Sequence, residues 1–522
     1  MVFENVARVA IWVLASATLS LSCVAIYRLY FHPLAKVPGP LFQRISGIPR
    51  MWHCYAGDRH LREMQAHQSY GSVVRIGPDS LAFSTLSALQ TIHSKDSNVF
   101  KGNEFYGLLD GGAEGGRSVQ MVADNTAHAA RRRVVDKALP PRDQAFRDID
   151  NLARKFVSST VYIAGLNSPP DSKGWTGSVD LTTTSSWFSF DLISTVAFGD
   201  SMEMMTSEAY RWVPACLRST SIFLYWAGYA PFLGFWQYLL GSKWPTRLGL
   251  HTVVNSQRYT ELADEQLDKR IARLESGEEQ GCAEKRTDLF KHLLQANLYG
   301  EYDLRADSSL LIAAGSDAIR LTVAATVFYW LKNPAVFEKA KQEIYSLARS
   351  SDDISDAKLS SMKYLRACID ETMRLCPPKA SSLPREVLKD GITIDGIYVP
   401  KGMTVGTSVY ALHHDPEIYP EPYAFRPERW LQPSPDRRMQ AAFCPFLKGP
   451  RACPGKTVAY FAMQLALFHL VLQYDIRAAP GKPTGGGHSG PGFLRERDDE
   501  YQFNDWIIGF SEGPNVQLKP RD

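Results

Sequence analysis

The sequence is poor in the features that would make it anything but one large globular body. Its eight cysteines (Cys23, Cys54, Cys216, Cys282, Cys368, Cys376, Cys444 and Cys453) are scattered, with no C-x-x-C pair and no zinc-type spacing. In a chain of 522 residues that excludes a zinc ribbon and argues for a reducing, intracellular setting over a disulfide-stapled fold. The net charge is only +3, so no global field favours nucleic acid. There is no internal repeat and no charge block long enough to form a tail. Apolar residues at 45% and charged residues at 22% are those of an ordinary folded core.

One stretch breaks this pattern. Val9 to Tyr27 is nineteen residues without a charge, preceded by Glu4 and Arg8 and followed by Arg28, His32 and Lys36. As a helix it is roughly 28 Å long, just enough for a bilayer core. The basic excess on its C-terminal side leaves the body of the protein cytosolic. Pro33, Pro38, Gly39 and Pro40 then form a stiff connector. The organisation expected is a membrane anchor over 1–28, a connector over 29–40 and one catalytic domain over 41–522.

Within that domain, Ser72–Phe83 reads as two short strands around a Gly-Pro turn, and Ile392–Val399 as a hairpin. Helical patterns dominate from Thr126 to Leu347: His128–Ala138, Phe190–Phe198, Thr252–Leu274, Ser309–Leu331 and Pro334–Leu347. Pro480–Pro491 reads as an exposed loop. The fold class is therefore mainly α with a small β part.

Phe446-Leu-Lys-Gly449-Pro-Arg451-Ala-Cys453-Pro-Gly455 sets one cysteine in a glycine-bounded loop directly before a helix-forming run from Lys456. Amides and the dipole of a helix N-terminus stabilise a thiolate, and glycines at 449 and 455 permit a tight turn around it. A buried structural cysteine is the plain alternative. Two companions occur upstream: Glu371-Thr-Met-Arg374, whose ends share a helix face, and Phe425-Arg-Pro-Glu-Arg429-Trp430.

Together these motifs resemble the cytochrome P450 superfamily of heme-thiolate monooxygenases. The resemblance implies the fold of that family, a helical body with a minor β-sheet region behind the transmembrane helix. It implies heme b with Cys453 as axial iron ligand and Phe446, Gly449 and Gly455 shaping its loop. Glu371, Arg374 and Arg429 become a structural network behind the loop, and Arg451, Arg385, His128 and Arg132 the partners of the heme propionates. Arg131, Arg133, Lys137, Arg437, Arg438, Lys448 and Lys456 form a basic face for an acidic flavoprotein, an NADPH-cytochrome reductase that delivers electrons from NADPH. Residues 222–240, densely aromatic, would roof the pocket and touch the bilayer, and Phe105–Gln120 would be a mobile loop over the substrate. The wording of Tyr30–Pro40 and His413–Pro416 is similar to microsomal members from filamentous fungi. That implies a monomer on the endoplasmic reticulum acting on a lipophilic secondary metabolite such as a polyketide, terpenoid or indole alkaloid.

The helix expected over the heme departs from the family. In Ala313-Ala-Gly-Ser-Asp-Ala-Ile-Arg, Ala314 and Gly315 permit close approach and Asp317 matches the acidic member, but Ala318 stands where a threonine usually helps deliver protons. Thr322 is one turn on, about 6 Å along the axis. Ser316 points to another face. A hydroxyl or amine of the substrate could substitute. Alternatively the enzyme catalyses rearrangement, dehydration or radical coupling without oxygen insertion, or the protein is a degenerate, non-catalytic heme binder. Arg320 could pair with Asp317, but its position roughly 200° round the helix from Ala318 favours a carboxylate on a neighbouring helix.

Overall fold

A computed structural model describes residues 2–521 apart from 110–115, 232, 243–246, 248–249, 278–286, 297, 435 and 491. Helix α1 (Val2–Ile26) continues as a short π-helical stretch, Tyr27–Phe31; the apolar run of α1 is not buried, while Arg28 and Leu29 bond the body through Ile45 and Arg44. The helix extends beyond the uncharged run Val9–Tyr27 at both ends.

The connector differs more. Expected as a stiff link, it is itself packed on the body: Leu34 and Val37 are buried and His32 meets the Asp79 carboxylate at 2.9 Å. Fully buried Arg75 donates to the carbonyls of Pro78 (2.7 Å) and Arg28 (2.8 Å), while its own N–H donates to Pro38 O. Gly39 lies so close that a Cβ there would meet the Arg75 carbonyl oxygen at 2.3 Å. Arg75 therefore ties the end of the anchor to the body.

Arg75 belongs to β1 (Val73–Gly77), which pairs with β2 (Ser80–Phe83) around Pro78-Asp79 as the sequence predicted. With β3 (Val99–Phe100), β4 (Arg385–Val387) and β5 (Thr404–Thr407) they form a five-stranded sheet of order β1-β2-β5-β4-β3. Strands from both ends of the domain thus share one small sheet, and β4 carries Arg385 to its site.

The helical body fills the rest. α2 (Asn103–Leu109) is broken at Glu104–Phe105, and α3 (Asn125–Ala138) is capped by Asp124, whose carboxylate accepts from Ala127 N–H. α4 (Leu181–Phe198) begins nine residues before the expected Phe190. Its first half, Leu-Thr-Thr-Thr-Ser-Ser, has poor helix propensity, and burial against the core supports it instead. α5 (Val213–Ala227) and α6 (Leu233–Gly241) carry the aromatic region.

α7 (Glu301–Lys332) runs through the centre, with α4 packed along it. It too is long and apolar enough to cross a membrane, but its apolar segment is mostly enclosed by protein. It starts eight residues before the expected Ser309 because Asp303 accepts from the Gly300 N–H, capping a polar first turn. α8 (Lys363–Leu375) and α9 (Lys456–Gln473) pack on it. A terminal hairpin, β6 (Asn504–Trp506) and β7 (Ile508–Phe510), closes one side.

Glu500 is buried beside this hairpin. Tyr410 donates to its Oε1, and its Oε2 has no partner in the structure. Burial pushes its carboxyl up to about 7. The folded state therefore holds this proton more tightly than the unfolded chain, and the stability it contributes is complete below about pH 4.5 and lost as pH rises through 7. Glu500→Gln is expected to remove that decline, making the variant more stable than the native chain at pH 8 by on the order of 2 kcal/mol. Urea titrations at pH 5 and 8 check this; parallel pH profiles for the two proteins would contradict it.

Candidate functional site

The Cys453 loop is held open by backbone geometry. Cys453 N–H donates to Phe446 O (2.9 Å), Ala452 N–H to Gly449 O (3.0 Å) and Leu447 N–H to Cys444 O (2.9 Å). Gly449 has φ +68°, and a Cβ there would lie 1.8 Å from the His93 carbonyl oxygen, so no other residue fits. Gly455 has ordinary dihedrals and begins α9. The Phe446 ring packs on Tyr460. Cys453 itself is exposed, unlike Cys444, whose thiol is buried and pushed up to about 12. Burial of its surroundings raises the Cys453 thiol, while the Gly455 N–H and the Arg132 charge pull it down. Arg132 bonds the Ala452 carbonyl directly before the sulfur and pairs with Asp136 at 2.7 Å. It braces the thiol rather than standing free for a propionate.

Behind the loop, the Glu371 carboxylate is fully buried and accepts five hydrogen bonds. Arg374 supplies two (2.8 and 3.0 Å), and Arg429 Nε (2.9 Å), Trp430 Nε1 (3.0 Å) and Arg426 N–H (3.1 Å) supply the others. Arg374 also donates to the carbonyls of His413, Pro422 and Ala424. A residue given no role by the sequence completes the link. His413 Nδ1–H donates to Arg374 O, and its Nε2 accepts from Cys444 N–H, so it is neutral and joins the network to the cysteine loop. Burial and Arg374 push it down to about 3.

Whether heme fits can be judged from the charges beside the loop. Arg451 donates to Val122 O, Ala123 O and Asn125 Oδ1, Arg385 to Tyr106 OH and Pro384 O, and buried Lys101 to Gln120 O. Among the described residues none of the three has a carboxylate partner. Burial and mutual repulsion hold Lys101 well below its ordinary value, Arg451 at about 10, and His128 and His93 at about 3. A cluster of buried cations without counter-charge is costly and suits a group bearing two carboxylates. Heme propionates meet that demand. Lys101 and His93 were missed: neither has a telling spacing from Cys453, and only β3 and the loop contact of His93 bring them in.

α7, the helix expected over the heme, packs on α9. Ala314 is exposed and Ala318 half-buried in the middle of the helix, between buried Ile312 and buried Ile319, so this face opens on an internal space. A Cβ on Gly315 would lie 2.4 Å from Ile193 of α4, so the glycine serves helix packing. Thr322 donates its hydroxyl to Ala318 O (2.9 Å) and Ser316 to Ile312 O (2.9 Å). The expectation for Arg320 is overturned: it pairs with Asp317 Oδ1 (3.2 Å) and donates to Gly509 O (3.1 Å). The β7 carbonyl turns the guanidinium back along its own helix. Asp317 Oδ2 is buried without a partner, and burial raises its carboxyl.

The flanking regions also resolve. Of Phe105–Gln120, the part 110–115 lies outside the described residues. The rest is not a free loop: Phe105, Tyr106 and Leu108 are buried, and Phe105 N–H donates to Gly228 O. In residues 222–240, Phe223, Tyr225 and Tyr229 are buried while Phe235 and Tyr238 are exposed. Core packing and an outward face thus divide that segment. On the outer side of the cysteine loop, Arg133, Lys137, Arg437, Arg438 and Lys456 are exposed and Lys448 is half-buried, but Arg131 is withdrawn into an ion pair with Asp303.

Residues 38–498 match the family model described as Cytochrome P450. The chain is similar to the cytochrome P450 monooxygenase fscF of Fusarium equiseti, 32% identical over 98% of this chain and 97% of that protein. It is similar also to the cytochrome P450 monooxygenase apf7 of Gibberella fujikuroi, 32% identical over the whole of both chains at 100% coverage. The cytochrome P450 monooxygenase poxM of Penicillium oxalicum is 29% identical over 95% of this chain and 92% of that protein.

Proposed function

The chain belongs to the cytochrome P450 family, and from that premise we propose that it oxidises a lipophilic secondary metabolite with protons drawn partly from the substrate. Membership implies a monooxygenase with a heme-thiolate cofactor, electrons from a redox partner and a small-molecule substrate. The finer assignments are our reading. Cys453 would bind the heme iron; Arg451, Arg385, Lys101 and His128 would hold the propionates; Arg132 braces the ligand loop. Heme so held supplies the oxidising chemistry, the thiolate pushing electron density toward O–O cleavage. The exposed basic residues around the loop receive an NADPH-fed flavoprotein reductase. α1 anchors the protein in the endoplasmic reticulum membrane with the catalytic domain, 41–522, in the cytosol.

The observation that carries the proton argument is the state of the hydroxyls and acid near Ala318. Thr322 and Ser316 spend their protons on helix carbonyls, and Arg320 occupies one oxygen of Asp317. No side-chain hydroxyl on this turn is left to donate at Ala318, so a substrate hydroxyl or amine fills the role. The same observation supports a second reading, in which the reaction is a rearrangement, dehydration or radical coupling that needs no such donor.

Hydrogen peroxide released per NADPH tests this. On a surrogate lacking hydroxyl and amine groups the native enzyme is expected to form product with about tenfold lower coupling than Ala318→Thr, given the usual worth of a positioned proton donor. Tight native coupling on such a surrogate would sink the substrate-assisted route. Oxygen uptake without an oxygenated product would favour the second reading.

A further inference from the structure

Lys379 follows Pro377-Pro378 beyond the end of α8. Pro378 O accepts from Gly509 N–H at 3.1 Å, and Gly509 O accepts from Arg320 at 3.1 Å, so this loop, the β6–β7 hairpin and α7 close one wall together. The Lys379 ammonium donates to the Ile507 carbonyl at the hairpin turn, its one hydrogen-bond acceptor among the described residues. Its neighbours Pro378 and Ala380 are buried. Lys379 is enclosed by protein yet retains accessible surface, so it faces an internal space. That space is the one already described. The ammonium feels Asp317 on α7, and it helps depress Lys101 in the cation cluster beside the cysteine loop.

Two carboxylates, Asp505 and Asp317, act on it from nearby. Asp317 Oδ1 is held by Arg320, and Asp505 accepts from Ser381 and from Tyr225 OH (3.3 Å). Neither forms an ion pair with Lys379. Burial lowers the ammonium to about 8, which leaves it charged at neutral pH but weakly solvated, as suits a cation awaiting an anionic partner. Trp506 and Phe510 of the same hairpin belong to an apolar cluster with Phe105, Tyr106, Tyr225 and Tyr229.

We propose that Lys379 binds a carboxylate of the substrate, so that the molecule oxidised is a lipophilic acid with its acid group held against the terminal hairpin and its apolar body along the aromatic cluster. This deepens the monooxygenase reading and rests on it for the identity of the cavity. Lys379 is then a specificity-determining residue.

The test uses the heme-loaded full-length protein with two matched pairs of probes: dodecanoate and its methyl ester, and indole-3-butyrate and its methyl ester. Dissociation constants are measured by calorimetry and by the heme absorption change. The acids are expected to bind about tenfold or more tighter than the esters, as a charge-assisted hydrogen bond provides. Lys379→Met is expected to erase that difference by weakening the acids alone, with Lys379→Arg restoring part of it. Equal affinity of acid and ester for the native protein, or a preference that survives Lys379→Met, overturns the inference. So does equal weakening of acids and esters, the mark of a structural strut. Failure of the monooxygenase reading would show separately, as absence of NADPH-driven oxygenation while the calorimetric preference for acids persisted.

Discussion

Glu371→Ala is expected to cost about 3–5 kcal/mol of folding stability and to leave little heme-loaded protein, because it strips a fully buried anion from two arginines. The alanine leaves Arg374 with three carbonyls but no counter-charge, and Arg426 N–H and Trp430 Nε1 without their acceptor. Each buried donor left unpaired adds its own desolvation penalty. The damage spreads toward Cys453, since His413 hangs on the Arg374 carbonyl and caps Cys444 N–H at the mouth of the ligand loop. Glu371→Gln separates charge from shape: it retains an acceptor but not the anion, and an intermediate loss is expected. Denaturant midpoints of the three proteins, with heme content per chain, measure this. If Glu371→Ala shifts stability by less than about 1 kcal/mol, the pair behaves as a surface salt bridge, and the network has no structural weight.

Cys453→Ser is expected to act in the opposite way, sparing the fold and abolishing the chemistry. The sulfur is exposed and its environment is carried by backbone bonds of other residues, so folding stability should change little. A serine hydroxyl remains protonated under conditions where a metal-bound thiol does not, so the electron push that the family depends on is lost. NADPH-driven oxidation should fall on the order of 10³-fold or more, a barrier increase of about 4 kcal/mol. The ferrous carbonyl spectrum should lose its thiolate character in the same sample. A variant that kept the thiolate spectrum would point to another ligand. Cys444 is nearest in sequence, yet its sulfur is buried beside His413 Nε2 at 3.6 Å. Such a result would therefore require the loop to refold.

What the sequence disclosed about this site is what lies close together along the chain. The loop around Cys453 could be read because Gly449, Arg451 and Gly455 act within a few residues of the sulfur, and the Glu371–Arg374 pair because helical spacing alone brings it together. The groups that escaped notice arrive from elsewhere. Lys101 directly follows a two-residue strand about 350 positions before the sulfur, and His413 at the end of a short helix and Lys379 in a loop make contacts that exist only once the chain has folded. Arg320 shows the limit of a helical wheel. Its angular position was right, but the wheel knows nothing of Gly509, whose carbonyl turns the guanidinium back onto Asp317. The early starts of α4 and α7 have the same origin, since Asp180 and Asp303 cap segments that periodicity alone would leave as coil. Basic residues near the loop were legible as a group, yet Asp303 removes Arg131 from it.

The docked connector has a consequence for anyone who wants this enzyme without its lipid. Removing the first forty residues, the cut that the prolines invite, would strip Leu34 and Val37 from a closed apolar seat and deprive Arg75 of the Arg28 carbonyl. The sheet edge that Pro38 and Gly39 now cover would be laid bare, an invitation to aggregate. The separable piece ends earlier, near Ile26, before Arg28, whose carbonyl Arg75 binds and whose guanidinium donates to Ile45 O. A water-soluble form has to keep the segment from Arg28 onward: in packing terms those residues are the first of the catalytic body.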